Sequence, residues 1–497
     1  MASLIIYGDV GLGPDEAQYW TWSQKLDWGY YSKPPGIAWQ IWLGVKLFGD
    51  TEFGVRFVSI LFAFPLSLAV YFLALACKLK PNTAFWAGVV MAFSPLGMLA
   101  SFFAITDVGM ALFWTLACLI LANALSRQEV PRYYSLGFVI LCGALFKWPI
   151  YLFWVFPLSL TLFYPWLISR HLFGGFVLSL CGLLPSVIWN WTHHWVTFRH
   201  VFSTIAGEHG KEQGTLTLFH GNFFEFLAAQ AALLSPIIFI LLILAFIALF
   251  KYRRRISPAL IFCGICCLGL LTLYSVMAFF QKMQGNWCSF AYSPGIVLLC
   301  WHACEADFKK KIWLKAGVIS SIILCLAAFS MPYIQMHGVW SNYPIPYKIN
   351  PFRHNLGWQN LSNALLKHGY RADEHFLFGD KYQMSSILSF YGPHQKRAYF
   401  FNIHGIRHNQ FSFWPSMAQE QKGKTGFFIL AENTPHLQRN QDDQVKFYKQ
   451  TLTRYFAEVH FLGVSPLFSC YGNMVKGAFL FKCVDYNGRE PANPELY

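Results

Sequence analysis

A handful of carboxylates and cations stand where an otherwise apolar chain has no ordinary use for them. Asp15 and Glu16 are adjacent in the opening stretch GPDEAQYWTWSQKLDWGYYSKPPG, which then carries Tyr31 and places Lys33 ahead of a Pro-Pro pair. Asp107 falls between the apolar runs Ala92–Phe103 and Val108–Ala124, Lys147 sits in the turn FKWP, Arg199 precedes His200, and Lys282 opens QKMQGNW. An ionisable residue at membrane depth costs roughly 2.5–3.5 kcal/mol on insertion scales, so each requires a reason. One set of reasons is structural. Asp15 and Glu16 read as a solvated pair or a helix start after Pro14, Asp107 as a helix N-cap, Lys147 as a snorkelling side chain, and Lys33 with the loop aromatics as an interfacial belt. The other set is chemical. Asp107 reads as a buried acid shared with the opening loop, and Lys147 as a cation aimed at an anion. Acids and cations gathered on one side of a membrane suit transfer from an anionic, lipid-linked donor.

The elements that must position these groups follow from composition. The 497 residues are 55% hydrophobic, 19% aromatic and only 12% charged, with a mean hydropathy of +0.38. A soluble domain carries about 25% charged residues, so the chain reads as an integral membrane protein. A span needs about 20 mainly apolar residues, and that ruler finds about ten, near 53–77, 83–104, 106–125, 133–147, 149–168, 172–190, 226–250, 257–280, 288–304 and 312–334. Alternate connections hold Lys78 and Lys80, Arg127 and Arg132, Arg170, Lys251 with Arg253–Arg255, and Lys309–Lys311. By the positive-inside rule this set is cytoplasmic. It also accounts for the net charge of +14, so nucleic acid is not the expected partner.

The other connections are then external: the opening loop, the turns at Asp107 and Lys147, the loop 191–225, the turn Gln281–Trp287 and everything after about 335. An external N-terminus means either that a short N-terminal segment is translocated or that one upstream span is missing; the missing span is the favoured expectation, with Leu4–Ile5–Ile6–Tyr7 as its outer end. Residues 1–336 read as the multi-span domain. Residues 337–497, with β-like runs Gly426–Leu430 and Ala478–Phe481 and a helical stretch Asp443–Phe456, read as an external α/β domain. Of thirteen cysteines, eleven lie in or beside apolar segments and read as packing residues. Cys470 and Cys483 lie in the polar C-terminal part, where a disulfide is open.

The runs DEAQYWTWSQKLDWGYYSKPPGIAW and FGDTEFGVR resemble the first external loop of bacterial members of the protein mannosyltransferase and aminoarabinose transferase group. ASFFAITDVGMALFWTLA, ALFKWPIYLF, QKMQGNW and SFYGPHQKRAYFFNIHGIRHNQFSFW resemble, in turn, its second acidic signature, its lysine turn, its Lys…Asn-Trp turn and its external domain. The likeness covers nearly the whole chain, apart from the group's first helix and a glycine that commonly follows the turn lysine. It implies an α-helical polytopic membrane protein of the C-type glycosyltransferase fold with a C-terminal external small α/β domain.

It also implies an inverting transfer from a polyprenyl-phosphate sugar to a lipid A, lipopolysaccharide or protein hydroxyl acceptor, at the outer face of the bacterial inner membrane. On that reading Asp15 is the general base, Glu16 a lesser partner, and Asp107 fixes the loop or acceptor. Lys33 and Lys147 face the phosphate, with Arg199 and Lys282 as further cations, and Tyr31 and its neighbours stack on sugar. No cofactor is assigned: a multi-carboxylate magnesium site is not evident in the sequence. The rival readings are a transporter or lipid flippase with an accessory domain, which would show two broken-helix halves, and a membrane protein whose external domain binds a partner.

Overall fold

The computed structural model describes residues 10–205, 220–339, 341–433 and 441–491. The run Leu4–Tyr7 and the middle of the loop 191–225 lie outside the described residues. The chain forms two compact units. One contains 27–40 and 56–326; the other contains the residues up to Leu26, 41–55 and 327–497. Contacts thus group the helix Pro14–Ser23, which bears Asp15 and Glu16, with the C-terminal residues, whereas the sequence division at 336/337 counts it with the spans.

Among the described residues five helices are long and apolar enough to cross a membrane: Glu52–Ala76, Thr106–Arg127, Arg170–Thr192, Pro258–Phe280 and Phe308–Met336. Two bent pairs raise the number to seven, Pro81–Phe93 with Pro95–Phe102 at 55° and Phe223–Leu234 with Pro236–Tyr252 at 103°. The protein is a multi-pass membrane protein. The segments expected at 133–147 and 149–168 form shorter apolar helices, Tyr133–Ala144 and Trp148–Leu160. The one expected at 288–304 holds a ten-residue helix, Tyr292–Trp301.

Both bends have the same cause. A residue before proline is pushed out of the helical region, and Ser94 is extended at φ −66°, ψ 153° before Pro95. Its hydroxyl then accepts the Gly97 amide at 3.2 Å, capping the new helix. Ser235, before Pro236, takes φ 74°, ψ 147°. The cysteines in this unit pack as small apolar groups: Cys77, Cys118, Cys263, Cys266 and Cys267 are all buried, with Cys77 and Cys263 Sγ 3.6 Å apart.

The C-terminal unit is built on a mixed five-stranded sheet, β1 (His375–Gly379), β2 (Tyr399–Phe400), β3 (Thr425–Asn433), β4 (Phe456–Cys470) and β5 (Asn473–Tyr486), in the order β2-β1-β3-β5-β4. β1 runs parallel to β2 and β3, while β5 is antiparallel to β3 and β4. Side chains alternate faces along a strand. Phe376 and Phe378, Phe428 and Leu430, and Phe479 and Phe481 therefore gather in one core with Tyr448 and Leu452 of the helix Gln441–Leu452. Leu377, Phe427, Ile429 and Leu480 are buried too, so both faces of the sheet are covered, as parallel pairing requires.

Cys470 and Cys483 are free and buried. Cys470 lies opposite Asn473 at the hairpin tip and Cys483 opposite Val459. They are separated by most of the hairpin's length, at about 3.3 Å per residue, far beyond the roughly 7 Å that a disulfide spans.

Lys476 is a buried lysine of this unit. It is buried on β5, donates to Leu356 O at 2.9 Å and holds Nζ 3.3 Å from the centroid of the Trp358 ring. Burial pushes its pKa well below the usual lysine value. The unfolded chain therefore binds the proton more tightly, so stability rises as pH climbs from the folded pKa towards the ordinary lysine value near 10.4, and is lost as pH falls. Lys476→Met is expected to stabilise this unit by about 1 kcal/mol at neutral pH and to flatten that alkaline rise. Thermal unfolding across pH measures both; an unchanged pH slope would remove Lys476 as its source.

Candidate active site

Two residues forty positions apart form the clearest polar feature of the helical unit. Asp107 lies in the first turn of Thr106–Arg127, two residues after the extended Ile105 cap, where the positive end of the helix dipole favours a carboxylate. Lys147 is the extended residue, φ −153°, ψ 131°, that precedes the 3-10 turn Trp148–Trp154. Its ammonium meets Asp107 Oδ1 at 2.7 Å, and the two side chains are 13% and 10% exposed. Asn286 Nδ2 donates to Asp107 Oδ2 at 3.3 Å and Ser289 Oγ stands 3.5 Å from Oδ1. The pair is therefore shut away from bulk water, and Lys147 faces a carboxylate instead of reaching for lipid headgroups. An ammonium has three donors, so the contact with Asp107 leaves others for a further acceptor.

Packing explains the meeting. A Cβ on Gly109 would fall 2.6–2.8 Å from three atoms of the Phe146 ring. Phe146 can lie against the helix only because residue 109 has no side chain, and that seats Lys147 beside Asp107. Gly109→Val is expected to push the ring away and cost about 1–3 kcal/mol, the range for overpacking a filled site. Thermal unfolding of the detergent-solubilised chain checks it; a wild-type melting temperature would mean that Phe146 has another place to go.

The same turn receives the end of the opening loop. The Gly36 amide donates to Leu145 O at 2.7 Å, and a Cβ there would sit 2.6 Å from that oxygen. Upstream, Trp189 Nε1 donates to Asp27 Oδ2 at 3.0 Å and Thr197 Oγ1 to Tyr30 O at 3.1 Å. Tyr31 is buried with its ring 5.2 Å from that of His200. Lys33 is half-buried, its carbonyl accepting the Tyr30 amide. Arg199 and Lys282 are exposed. The helical unit thus holds Tyr31, Lys33, Asp107, Lys147, Arg199 and Lys282, and among them it joins Asp107 to Lys147.

Asp15 and Glu16 belong to the other unit. Pro14 is the first residue of the helix Pro14–Ser23 and both acids lie in its first turn, the place where carboxylates are favoured. They differ in environment. Glu16 is buried, 2% exposed, and accepts the Gly13 amide at 2.9 Å, whereas Asp15 is exposed. Burial raises the pKa of Tyr382 and the negative charge of Asp15 raises it further.

Reading the sequence did not single out Asn286, Ser289 or Asp27. Asn286 lay in a quoted run, and a polar amide next to a tryptophan at a span's edge was the available signal. Asp27 lies in the quoted opening stretch beside Trp28, where an acid among aromatics was the available signal, and Ser289 carried none. Among the described residues no three His, Cys, Asp or Glu side chains converge as a metal site would require.

Residues 32–189 match the family described as dolichyl-phosphate-mannose-protein mannosyltransferase. The chain is 31% identical over 293 residues to a lipid A galacturonosyltransferase, RgtD, of Rhizobium johnstonii, an alignment covering 58% of this chain and 59% of that protein. It is 29% identical over 198 residues to an undecaprenyl phosphate-alpha-4-amino-4-deoxy-L-arabinose arabinosyl transferase of Pseudomonas aeruginosa, covering 35% of each. The match thus spans well under two thirds of either relative. In three dimensions the chain resembles ArnT from Cupriavidus metallidurans in its apo state and bound to undecaprenyl phosphate. The TM-scores are 0.57 and 0.59 at 14% identity, over 96% of this chain and 95% of that one. Residues 32–189, from the end of the opening loop through the early spans, thus carry the similarity to the mannosyltransferase family, and the chain as a whole has a fold similar to that of ArnT.

Proposed function

We propose that this protein is a glycosyltransferase that moves a sugar from a polyprenyl-phosphate carrier to a lipid A-type acceptor on the outer face of the bacterial inner membrane, with the C-terminal unit periplasmic. The observation that carries the reading is the buried Asp107–Lys147 pair, set in a chain whose fold matches, over 96% of its length, a protein crystallised with undecaprenyl phosphate. The named activity of the galacturonosyltransferase relative favours lipid A over a protein hydroxyl as acceptor.

In the proposed reaction the acceptor hydroxyl oxygen attacks the anomeric carbon from the face opposite the phosphate, so the configuration inverts. The anomeric carbon–oxygen bond to phosphate breaks, and polyprenyl phosphate departs with the bonding electrons. Asp15 takes the acceptor proton, with Glu16 holding its turn. Charge develops on the phosphate oxygens as an oxocarbenium-like sugar forms. Lys33 and Lys147 stabilise that charge, the kind of preorganised contribution that is often the largest in catalysis, and Arg199 and Lys282 add positive charge from exposed positions. Asp107 holds Lys147 in place, and Tyr31 offers a ring face to the sugar.

Mass spectrometry of envelope glycolipids and glycoproteins from cells with and without the protein tests this. Loss of a sugar-sized increment from lipid A species is expected. A change confined to glycoproteins would redirect the acceptor, and no change in either class would sink the reading.

A further inference from the structure

The helix that carries Asp15 is fastened at both ends to residues of its own unit far away in sequence. At its leading end the Leu12 amide donates to the Tyr391 hydroxyl at 2.6 Å, and that hydroxyl donates onward to Glu52 Oε1 at 3.0 Å. Asn355 Nδ2 donates to Gly11 O at 3.2 Å. Gly11 lies so close that a Cβ would sit 2.6 Å from the Tyr391 oxygen and 2.9 Å from Asn355 O. At the trailing end Trp20 Nε1 donates to Asp50 Oδ1 at 2.6 Å, its ring stands edge-on to Phe390 at 5.0 Å, and Gln395 Nε2 holds Asp50 O at 3.0 Å.

A ten-residue helix is marginal by itself, so these contacts decide where its first turn lies. They act on backbone atoms immediately before Pro14 and leave Asp15 exposed while Glu16 is buried. We propose that Tyr391, held by Glu52, is a positioning residue for Asp15, which makes the sheet-bearing unit part of the reaction apparatus through the Leu12–Tyr391–Glu52 chain of hydrogen bonds. The proposal rests on the assignment of Asp15 as the base. A displacement of about 1 Å of a reacting group can cost about 10²-fold in rate, and a hydroxyl that fixes a backbone amide three residues from Asp15 controls motion on that scale.

The test uses the full chain in nanodiscs with undecaprenyl-phosphate-linked galacturonic acid as donor and lipid A as acceptor. Tyr391→Phe is expected to lower kcat about tenfold with the donor KM held within about twofold. Amide exchange should quicken over 11–23 but not over β3 and β5. Glu52→Gln, which still offers an oxygen to the tyrosine, should recover most of the activity that Glu52→Ala loses. An unchanged kcat overturns the proposal, as does faster exchange spread evenly over β3 and β5, which would mark general destabilisation. The exchange arm does not depend on Asp15 being the base: if Asp15→Asn keeps full activity the assignment fails, whereas normal exchange over 11–23 in Tyr391→Phe removes the positioning role alone.

Discussion

Asp15→Asn is expected to lower sugar transfer about 10²–10⁴-fold, the contribution of a positioned general base, while the protein accumulates at its normal level. The reason for the second half is local. Asp15 is exposed in the first turn of Pro14–Ser23, and the buried acid of that turn, Glu16, is the one that accepts the Gly13 amide. Asparagine keeps the size and the hydrogen-bonding oxygen and gives up only the charge and the basicity. The comparison with Glu16 sharpens the assignment. Glu16→Gln retains an acceptor for the Gly13 amide and should have a milder effect. Glu16→Ala leaves a buried amide without its partner, at about 1–3 kcal/mol, and should reduce folding as well as turnover. Transfer assays in membranes supplied with polyprenyl-phosphate sugar, normalised to protein amount, separate the outcomes. Near-normal transfer by Asp15→Asn would remove Asp15 as the base.

The second large effect concerns the buried pair. Removing one partner of a desolvated ion pair leaves an uncompensated charge, typically about 3–5 kcal/mol. Lys147→Met is expected to fall in that range, because its partner Asp107 is only 10% exposed and would keep Asn286 and the more distant Ser289 as its neighbours. Asp107→Asn should be as costly, stranding an ammonium. The double variant Asp107→Asn, Lys147→Met should regain much of the stability, since no charge remains buried, yet stay inactive because the cation proposed for the phosphate is gone. Thermal unfolding of the solubilised chain and transfer activity, read together, distinguish a structural pair from a working one. A loss below about 1 kcal/mol for the single variants, the value of an exposed pair, would show that water reaches the site.

Much of the fold could be read from local pattern. Apolar runs long enough to span and basic clusters between them are one-dimensional signals, whereas the breaks at Ser94–Pro95 and Ser235–Pro236 fall inside the expected spans 83–104 and 226–250 and were not read, because a proline such as Pro294 also sits within an unbroken helix. The runs Gly426–Leu430 and Ala478–Phe481 were visible as β-like, and they lie within the longer strands Thr425–Asn433 and Asn473–Tyr486. Asp107 and Lys147 stood out as costly charges, read as a cap or a buried acid facing the opening loop and as a snorkelling lysine or a cation facing an anion, but not as each other's partner. Their union was not legible, because it depends on a ring at position 146 meeting a missing side chain at 109. The expectation of about ten long spans and the five to seven found among the described residues differ for a related reason: hydropathy registers apolar length, and does not register that Trp148–Trp154 winds as a 3-10 turn behind Lys147.

By itself, then, the sequence determined that this is a polytopic membrane protein with an α/β appendage, and it marked a few ionisable residues as candidates for chemistry. Hydrophobic burial and proline geometry act within a turn or a run of twenty residues, so they leave a record in consecutive letters. Only the tertiary structure decided that Lys147 answers Asp107, that Asp27 receives Trp189 from 162 residues away, and that Leu12 is held by Tyr391 across 379. A hydrogen bond or an ion pair is set by a few ångströms of space, and nothing in the order of the chain measures that distance.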